Sequence, residues 1–530
     1  MNIQLASPYT RIFWTEWQLD PLSNKYNMIM DQTITGSLDI NKLERAVKYL
    51  INKYPVLDSH LVEEDGQLLW RKNAHTLVTE LEKCDSLQAL AALAARPFDL
   101  NNGPLFSYGY YHDKDKDLYE FVVVYHHVII DGLSVADAYA EMSDYYNDNL
   151  MTENHIVNDN FFSEKVQEYL FKLKNLSTAN PTEFWQSALA GLPKTNDIPY
   201  IQHFGEDSTE RQVKFYLPVK TWQVLKSNLK HTNAFLVFKT IWALLIARYC
   251  QSEAVHLAYP VSMENGSHLR LGAQVNTAVF PFFVHQDDTF ADIYQRTLAH
   301  HHDLKAKPGL RFTRWPIYEV LKSTGIRPNI SFAQAHFNEL TLSLRGCQTR
   351  CHHRFDQSLA NAELVLEYQE QNDNIAFRIR YEPERFAPQQ IAAMAEQFQQ
   401  LLNQVLLHPE KPLASFPLLT PTQQRQQLID WNPPQPEAMM ATGTLHQAIT
   451  EQAQKYPQRI ALVDEQQQLT YLELEQKSNQ LARCITENYQ RIAQKSISPD
   501  TLIPFCLNRG VEMIVTMLAI MKTGAAYIPL

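Results

Sequence analysis

Phe121-Val122-Val123-Val124-Tyr125 runs directly into His126-His127-Val128-Ile129-Ile130-Asp131-Gly132. The first five residues, apolar and with three valines in a row, have the composition of a buried strand. A strand that ends in polar chemistry delivers an imidazole to its own C-terminal edge, where a rigid element can hold a catalytic base. Neighbouring side chains on a strand point to opposite faces, so His126 and His127 cannot both enter one cavity. One is expected to face the substrate and the other the protein interior. Asp131 and Gly132 stand where the strand must turn; the acid is placed to fix a local arginine or backbone group, and the glycine to permit tight backbone geometry. Ser134-Val135-Ala136-Asp137 then has the pattern of a capped start for a helix running towards Tyr146. A lone histidine after a strand is usually structural, but two adjacent histidines with Asp-Gly at this spacing point to an acyl-transfer site.

Length and composition bound the rest. A chain of 530 residues exceeds one ordinary core, and 45% hydrophobic with 11% aromatic residues gives it the means to bury several. Roughly two to four domains or lobes are expected. Acidic residues outnumber basic ones, 58 to 47, and the formal charge of -11 argues against non-specific binding to nucleic acid or an anionic membrane. A soluble enzyme or binding protein fits better. Met1-Asn2-Ile3-Gln4-Leu5-Ala6-Ser7-Pro8 lacks the basic and apolar regions of a signal peptide, and no apolar run reaches membrane-spanning length, so the expected location is the cytoplasm. Cys84, Cys250, Cys347, Cys351, Cys484 and Cys506 are too scattered for a disulfide framework. Cys347 and Cys351 with His352-His353, and the run His300-His301-His302-Asp303, raise a metal reading. Neither has a second ligand pair at zinc-site spacing, and consecutive histidines diverge on any regular element, so no metal is expected. A solvated helix end is the better account of both.

The chain divides by pattern. Leu43, Ala46, Val47, Leu50 and Ile51 recur at helical spacing, and Leu68-Leu69-Trp70 reads as a strand after the Asp65-Gly66 turn. Together with the histidine strand they predict an α/β lobe over residues 1–175, with a helix at 182–190 closing it. A polar patch at 204–208 precedes a strongly apolar helix at 235–250, strands at 254–261, 275–284 and 378–381, and a helix at 389–407. These predict a second lobe over 176–430. Asn432-Pro433-Pro434-Gln435-Pro436 marks a linker, placed at 431–443, because clustered prolines resist both helix and sheet. A new unit then occupies 444–530, and no short repeat is present.

These features resemble a condensation domain of a nonribosomal peptide synthetase followed by the beginning of an adenylation domain. Leu469-Thr470-Tyr471-Leu472-Glu473-Leu474 resembles the first adenylation core motif, and Met521-Lys522-Thr523-Gly524-Ala525-Ala526-Tyr527-Ile528-Pro529-Leu530 the second. The resemblance covers nearly the whole chain. It implies an α/β fold of two lobes, each similar to a chloramphenicol acetyltransferase subunit, forming a V-shaped pseudo-dimer with a tunnel between them, plus a truncated α/β adenylation segment. It also implies that His127 is the active-site residue, with His126, Asp131 and Gly132 completing its signature. Gly272-Ala273-Gln274-Val275-Asn276-Thr277 resembles a family motif beside the tunnel, which makes Asn276 a candidate for contacting substrate. Ser7-Pro8-Tyr9-Thr10-Arg11-Ile12-Phe13-Trp14 resembles the first condensation motif without its usual glutamine; Arg11 and Trp14 are read as structural.

The implied activity is amide-bond formation between a carrier-bound acyl or peptidyl thioester and the amine of a carrier-bound aminoacyl thioester, with lipo-initiation as one form of it. His127 would either keep the attacking nitrogen unprotonated or hold it in line. The implied partners are donor and acceptor peptidyl carrier proteins bearing phosphopantetheine, and other synthetase modules, with the donor arriving in trans. No cofactor is expected to bind the condensation region itself, and ATP belongs only to a complete adenylation domain. An epimerisation domain shares the histidine signature but looks back to a preceding carrier; a carrier-recruiting scaffold without chemistry is the other alternative.

Three departures qualify the resemblance. Lys53-Tyr54-Pro55-Val56-Leu57-Asp58-Ser59 stands where the family usually shows Arg-His-Glu-x-Leu-Arg-Thr. Val261-Ser262-Met263-Glu264 offers no arginine where the family places one for the motif aspartate, which leaves Arg270 as the nearest candidate partner of Asp131. The sequence stops at Leu530 before any phosphate-binding loop. Residues 513–520 therefore read as a core helix, followed by a strand at 526–528, both expected to lack packing partners as in a gene fragment or a cut chain.

Overall fold

The computed structural model describes residues 3–6, 8–73, 80–148, 181–199, 211–229, 232–262, 275–306, 314–334, 340–352, 354–355, 359, 362–432 and 443–530. They form two compact units, residues 1–424 and 425–530. The polar patch at 204–208, Arg270 and the prolines at 433, 434 and 436 lie outside the described residues.

The first sheet of the larger unit has five strands in the order Cys347–Cys351, Asn27–Gly36, Leu118–His126, Phe106–Asp113 and Glu82–Cys84. The histidine strand is central, paired antiparallel on both sides, which explains why its valines are fully buried. Helix Ile40–Lys53 buries the five apolar residues picked out by their spacing and is capped by Asp39, whose carboxylate accepts from the Lys42 N–H. A three-stranded sheet joins Ile3–Leu5, Gln67–Lys72 and Ser59–Glu64. Its hairpin turns at Asp65 and Gly66, with φ of 50° and 74°, the backbone a tight two-residue turn requires. Arg11 pairs with Glu63 and Trp14 donates to Asn101, both structural roles as expected.

The second sheet has six strands in the order Val275–Phe283, Ala254–Ser262, Ile330–Gln334, Leu364–Glu370, Asn374–Tyr381 and Gln212–Pro218. Helix Ala234–Cys250 is buried without interruption from Leu236 to Ala247. It packs against the helices Pro388–Leu407 and Phe290–Ala306 as well as the sheet, so no face needs to be polar.

Strand Cys347–Cys351 comes from late in the chain yet completes the edge of the first sheet, pairing with Asn27–Gly36. Gly36, at φ 103°, allows the two backbones to meet there, since a Cβ would collide with the carbonyl oxygen of Gly346. Just beyond the strand, Arg354 reaches back to the same sheet. Its Nε donates to Asp31 Oδ2 at 3.0 Å and its Nη1 to Glu120 Oε1 at 3.1 Å. The Asp31 carboxylate has no solvent exposure.

The first histidine-rich cluster differs from the expected solvated helix end; the second lies at one, with His302 and Asp303 exposed, except for the ring of His300. Cys347 and Cys351 belong to an edge strand, and His300 lies within helix Phe290–Ala306 against Phe184, Trp185 and Phe280. Among the described residues no metal-binding group of side chains occurs, and no helix is long and apolar enough to cross a membrane.

The smaller unit packs three helices, Leu445–Lys455, Tyr471–Ala493 and Val511–Lys522, with two two-stranded sheets. Thr470 and Glu473 form a reciprocal capping box at the start of the long helix. Contrary to the expectation from sequence, the helix at 511–522 does find partners. Val511, Val515 and Leu518 share a core with Leu469 and Leu474, and Lys522 Nζ lies 2.7 Å from Glu475. Ala526–Pro529 pairs in parallel with Leu502–Phe505.

Candidate active site

The site begins where the central strand runs out. His127 is the first residue past the strand Leu118–His126, and its N–H donates to the carbonyl of Tyr26 at 2.8 Å. The two imidazoles then occupy different environments. His126 is 5% exposed, with Phe13, Tyr26 and Phe98 presenting their rings at centroid distances of 6.0, 6.0 and 6.3 Å. Its Nδ1 accepts the Val128 N–H at 3.1 Å, which places the ring proton on Nε2. Burial, reinforced by the neighbouring His127, brings its pKa down to about 3. His126 is thus a neutral, buried residue near neutral pH, and His127 is the one of the pair that borders a cavity.

His127 is half-buried and lines a cavity of about 690 Å³, a size suited to a small-molecule substrate. The first sheet and its flanking helix contribute Phe13, Glu16, Tyr26 and His127 to the wall. Elements of the second sheet and its helices contribute Thr277, Leu321, Lys322, Arg327 and Ser331. The ring of Phe13 lies 5.5 Å from that of His127 and fixes its orientation from one side.

Asp131 does not reach the cavity wall. It is 2% exposed and caps helix Gly132–Tyr146, accepting from the Ser134 N–H at 2.9 Å and the Ser134 hydroxyl at 2.7 Å. The helix therefore starts earlier than the Ser134 pattern indicates, because a carboxylate at this extended position satisfies the first N–H groups better than a residue already inside the turn. Gly132 is the first helical residue, and a Cβ there would meet nothing among the described residues within 4 Å. Neither a tight turn nor a close approach requires a glycine at that point. The backbone of Asn276 pairs with Val261 at the start of strand Val275–Phe283, while its side chain lies outside the described residues.

Sequence reasoning did not single out Glu16 or Tyr26. The Tyr26 hydroxyl donates to Glu16 Oε2 at 2.5 Å, and Lys25 Nζ lies 2.7 Å from the same oxygen. Glu16 stands three residues beyond Phe13 on helix Pro8–Leu19, a spacing that puts both on one face, but nothing in the local sequence shows that this face borders a cavity.

Comparison with known proteins gives concordant results. The condensation domain family model matches residues 3–428, and that of AMP-binding enzymes matches residues 449–530. Gramicidin S synthase 2 of Aneurinibacillus migulanus is 25% identical over 95% of this chain, and surfactin synthase subunit 1 of Bacillus subtilis (strain 168) is 23% identical over 99% of it. The chain spans 11% and 15% of those two proteins. A solved four-domain nonribosomal peptide synthetase bound to AMP and glycine aligns with 100% of the chain at a TM-score of 0.70 and 18% identity, covering 42% of that structure. The starter condensation domain of the rhizomide synthetase aligns along its full length with 79% of the chain, at a TM-score of 0.61 and 17% identity. With a mixed α/β fold shared with these structures, and a family match over residues 3–428, the chain belongs to the condensation domain family.

Proposed function

We propose that residues 1–430, as two lobes at 1–175 and 176–430 with the second lending strand Cys347–Cys351 to the sheet of the first, form an amide bond between two carrier-bound thioesters. The observation that carries this reading is the division of labour between the histidines: one sealed in the core and neutral, the other presented to a cavity walled by elements of both sheets. In the reaction the acceptor nitrogen attacks the donor carbonyl carbon, the C–N bond forms, the C–S bond breaks, and the released thiolate takes up the proton the nitrogen loses. An α-amino group titrates near ~8, so an imidazole beside it needs only modest basicity to keep the nitrogen nucleophilic. Holding the two thioesters in line supplies on the order of 7 kcal/mol or more in favourable cases, so His127 serves the reaction by position as well as by proton acceptance. Asp131 supports the site by capping the helix behind it, which begins at Gly132, and Asn276 is proposed as a substrate contact.

Lys322 and Arg327 in the cavity wall suit the phosphate of a phosphopantetheine arm, which the partner carrier proteins would bring. ATP would serve a complete adenylation domain, whose family model matches residues 449–530. The names of the relatives, gramicidin S and surfactin synthases, support a place in peptide assembly. A starter condensation domain of this fold has been solved with C8-CoA, which supports including a fatty acyl donor, as in lipo-initiation.

The test is mass-spectrometric detection of amide product from the whole chain, supplied with a panel of acyl- and aminoacyl-loaded carrier proteins. Product is expected from the wild type and none from His127→Ala. Unchanged turnover in the variant would remove His127 from the reaction, and deuterium exchange at the acceptor α-carbon without amide would favour epimerisation.

A further inference from the structure

We propose that Glu16 is the docking group for the ammonium of the acceptor substrate. This rests on the condensation reading and adds to it a recognition residue outside the histidine signature.

Glu16 is the one carboxylate among the described residues that line the His127 cavity. Its side chain is held rather than free to wander. Lys25 Nζ at 2.7 Å and the Tyr26 hydroxyl at 2.5 Å both approach Oε2, and Oε1 accepts no hydrogen bond from the described residues. Tyr26 in turn is pinned by the edge-on ring of Phe13 at 4.8 Å and by the N–H of His127 donating to its carbonyl. A carboxylate fixed through one oxygen keeps the other available as a pre-oriented acceptor for a charged N–H donor, the strong class of hydrogen bond. Glu16 is only 21% exposed, so water competes weakly for that oxygen.

The chemistry of the two reactants decides what this oxygen receives. The donor enters as a neutral thioester at its reacting end. The acceptor enters largely as an ammonium at neutral pH, since an α-amino group titrates near ~8. Of the two, only the acceptor's reacting group matches a negative charge in the wall of the His127 cavity. The cations of the wall, Lys322 and Arg327, come from the helix Arg314–Thr324 and the turn after it, whereas Glu16 projects from the helix Pro8–Leu19 that also carries Phe13. The cavity thus carries opposite charges on different elements. Glu16 acts in binding alone, and no bond is made or broken there.

The experiment is calorimetric titration of the full chain with hydrolysis-stable amide analogues of glycyl-, leucyl- and phenylalanyl-N-acetylcysteamine, and with their N-acetylated forms, across a pH series. Glu16→Gln keeps the hydrogen-bond geometry and removes the charge. It is expected to weaken binding of the free-amine analogues by about tenfold at a pH roughly one unit below the amine pKa, and to approach the wild type one to two units above it, where the amine is neutral. The N-acetylated analogues should bind both proteins equally. Lys25→Met, which leaves the Glu16 charge unshared, should tighten the free-amine analogues a few-fold at the lower pH. Equal affinity of wild type and Glu16→Gln at the lower pH would overturn the proposal, as would no binding to the wild type at millimolar analogue. A loss of the same size at every pH and for the N-acetylated forms would also overturn it, because that pattern belongs to a purely structural carboxylate. The amide assay with His127→Ala answers separately: binding as described without product would sink the condensation reading and leave the docking role standing.

Discussion

His126 shows how a residue inside a reactive signature can be wholly structural. Its pKa is drawn down to about 3 by burial, while the same side chain in an unfolded chain titrates near ~6.5. The native state therefore stays neutral at this site through mild acid while the unfolded chain takes up a proton. Stability is fully present above ~6.5 and falls as the pH drops, by roughly 2 kcal/mol from this group at about pH 5. His300, also lowered to about 3 chiefly by burial, acts in the same direction. Guanidinium melts of the wild type near neutrality and near pH 5 are expected to show the decline. His126→Leu should flatten part of that slope while costing about 1–3 kcal/mol at neutral pH, because the Val128 N–H loses its acceptor. An unchanged acid slope in the variant would show that the imidazole is not its source. The opposite orientation of the two histidines was legible from strand alternation alone. Which of them faces the cavity came from the resemblance, since periodicity is symmetric between the two faces.

Among elements, the helix Gly132–Tyr146 and the strand Cys347–Cys351 carry the clearest tests. Asp131→Ala removes the cap of the helix behind the histidine loop and is expected to cost about 1–2 kcal/mol in urea unfolding, with the m-value unchanged. His127→Ala should move the midpoint by less than about 0.5 kcal/mol. A larger loss in the histidine variant than in the aspartate one would reverse the assigned roles. Arg354→Met takes the cation away from the buried Asp31 and Glu120 carboxylates, which keep the Arg354 backbone N–H and the Thr33 hydroxyl as donors. A fully buried pair broken on one side loses about 3–5 kcal/mol; because the Arg354 side chain is 30% exposed, about 2–4 kcal/mol is expected. Asp31→Asn combined with Arg354→Met should recover part of that loss in the same unfolding assay. The sequence made helix Ile40–Lys53 and strand Val275–Phe283 readable because each satisfies its own periodicity locally. Cys347-Gln348-Thr349-Arg350-Cys351 was not readable as a strand. It has no apolar alternation, and its hydrogen-bonding partner is a strand far earlier in the sequence.

At the scale of the whole molecule, the two units differ in how much core each can muster. The larger holds two extensive clusters of buried apolar side chains; the smaller gathers Leu469, Leu474, Val511, Val515 and Leu518 around two two-stranded sheets. Hydrogen-exchange mass spectrometry is expected to show Leu502–Phe505, paired on one side only, exchanging well before Leu118–His126, which is paired on both. Comparable protection in the two strands would contradict that ranking. The sequence expectation put the change of unit at the proline cluster of 431–443, whereas the compact units divide between residues 424 and 425. The mingling of the two sheets was not visible in the sequence, because sequence order places residues 347–351 with the second. That mingling has a genetic consequence. A recombination event anywhere between codons 149 and 346 would give offspring whose first sheet is drawn from two parents: four strands from one, and the Cys347–Cys351 edge with its Arg354 clamp from the other. Viable chimeras should inherit Asp31, Glu120 and Arg354 as a matched set, so the seam that breeding tolerates is not the one that a reading of lobes along the chain would choose.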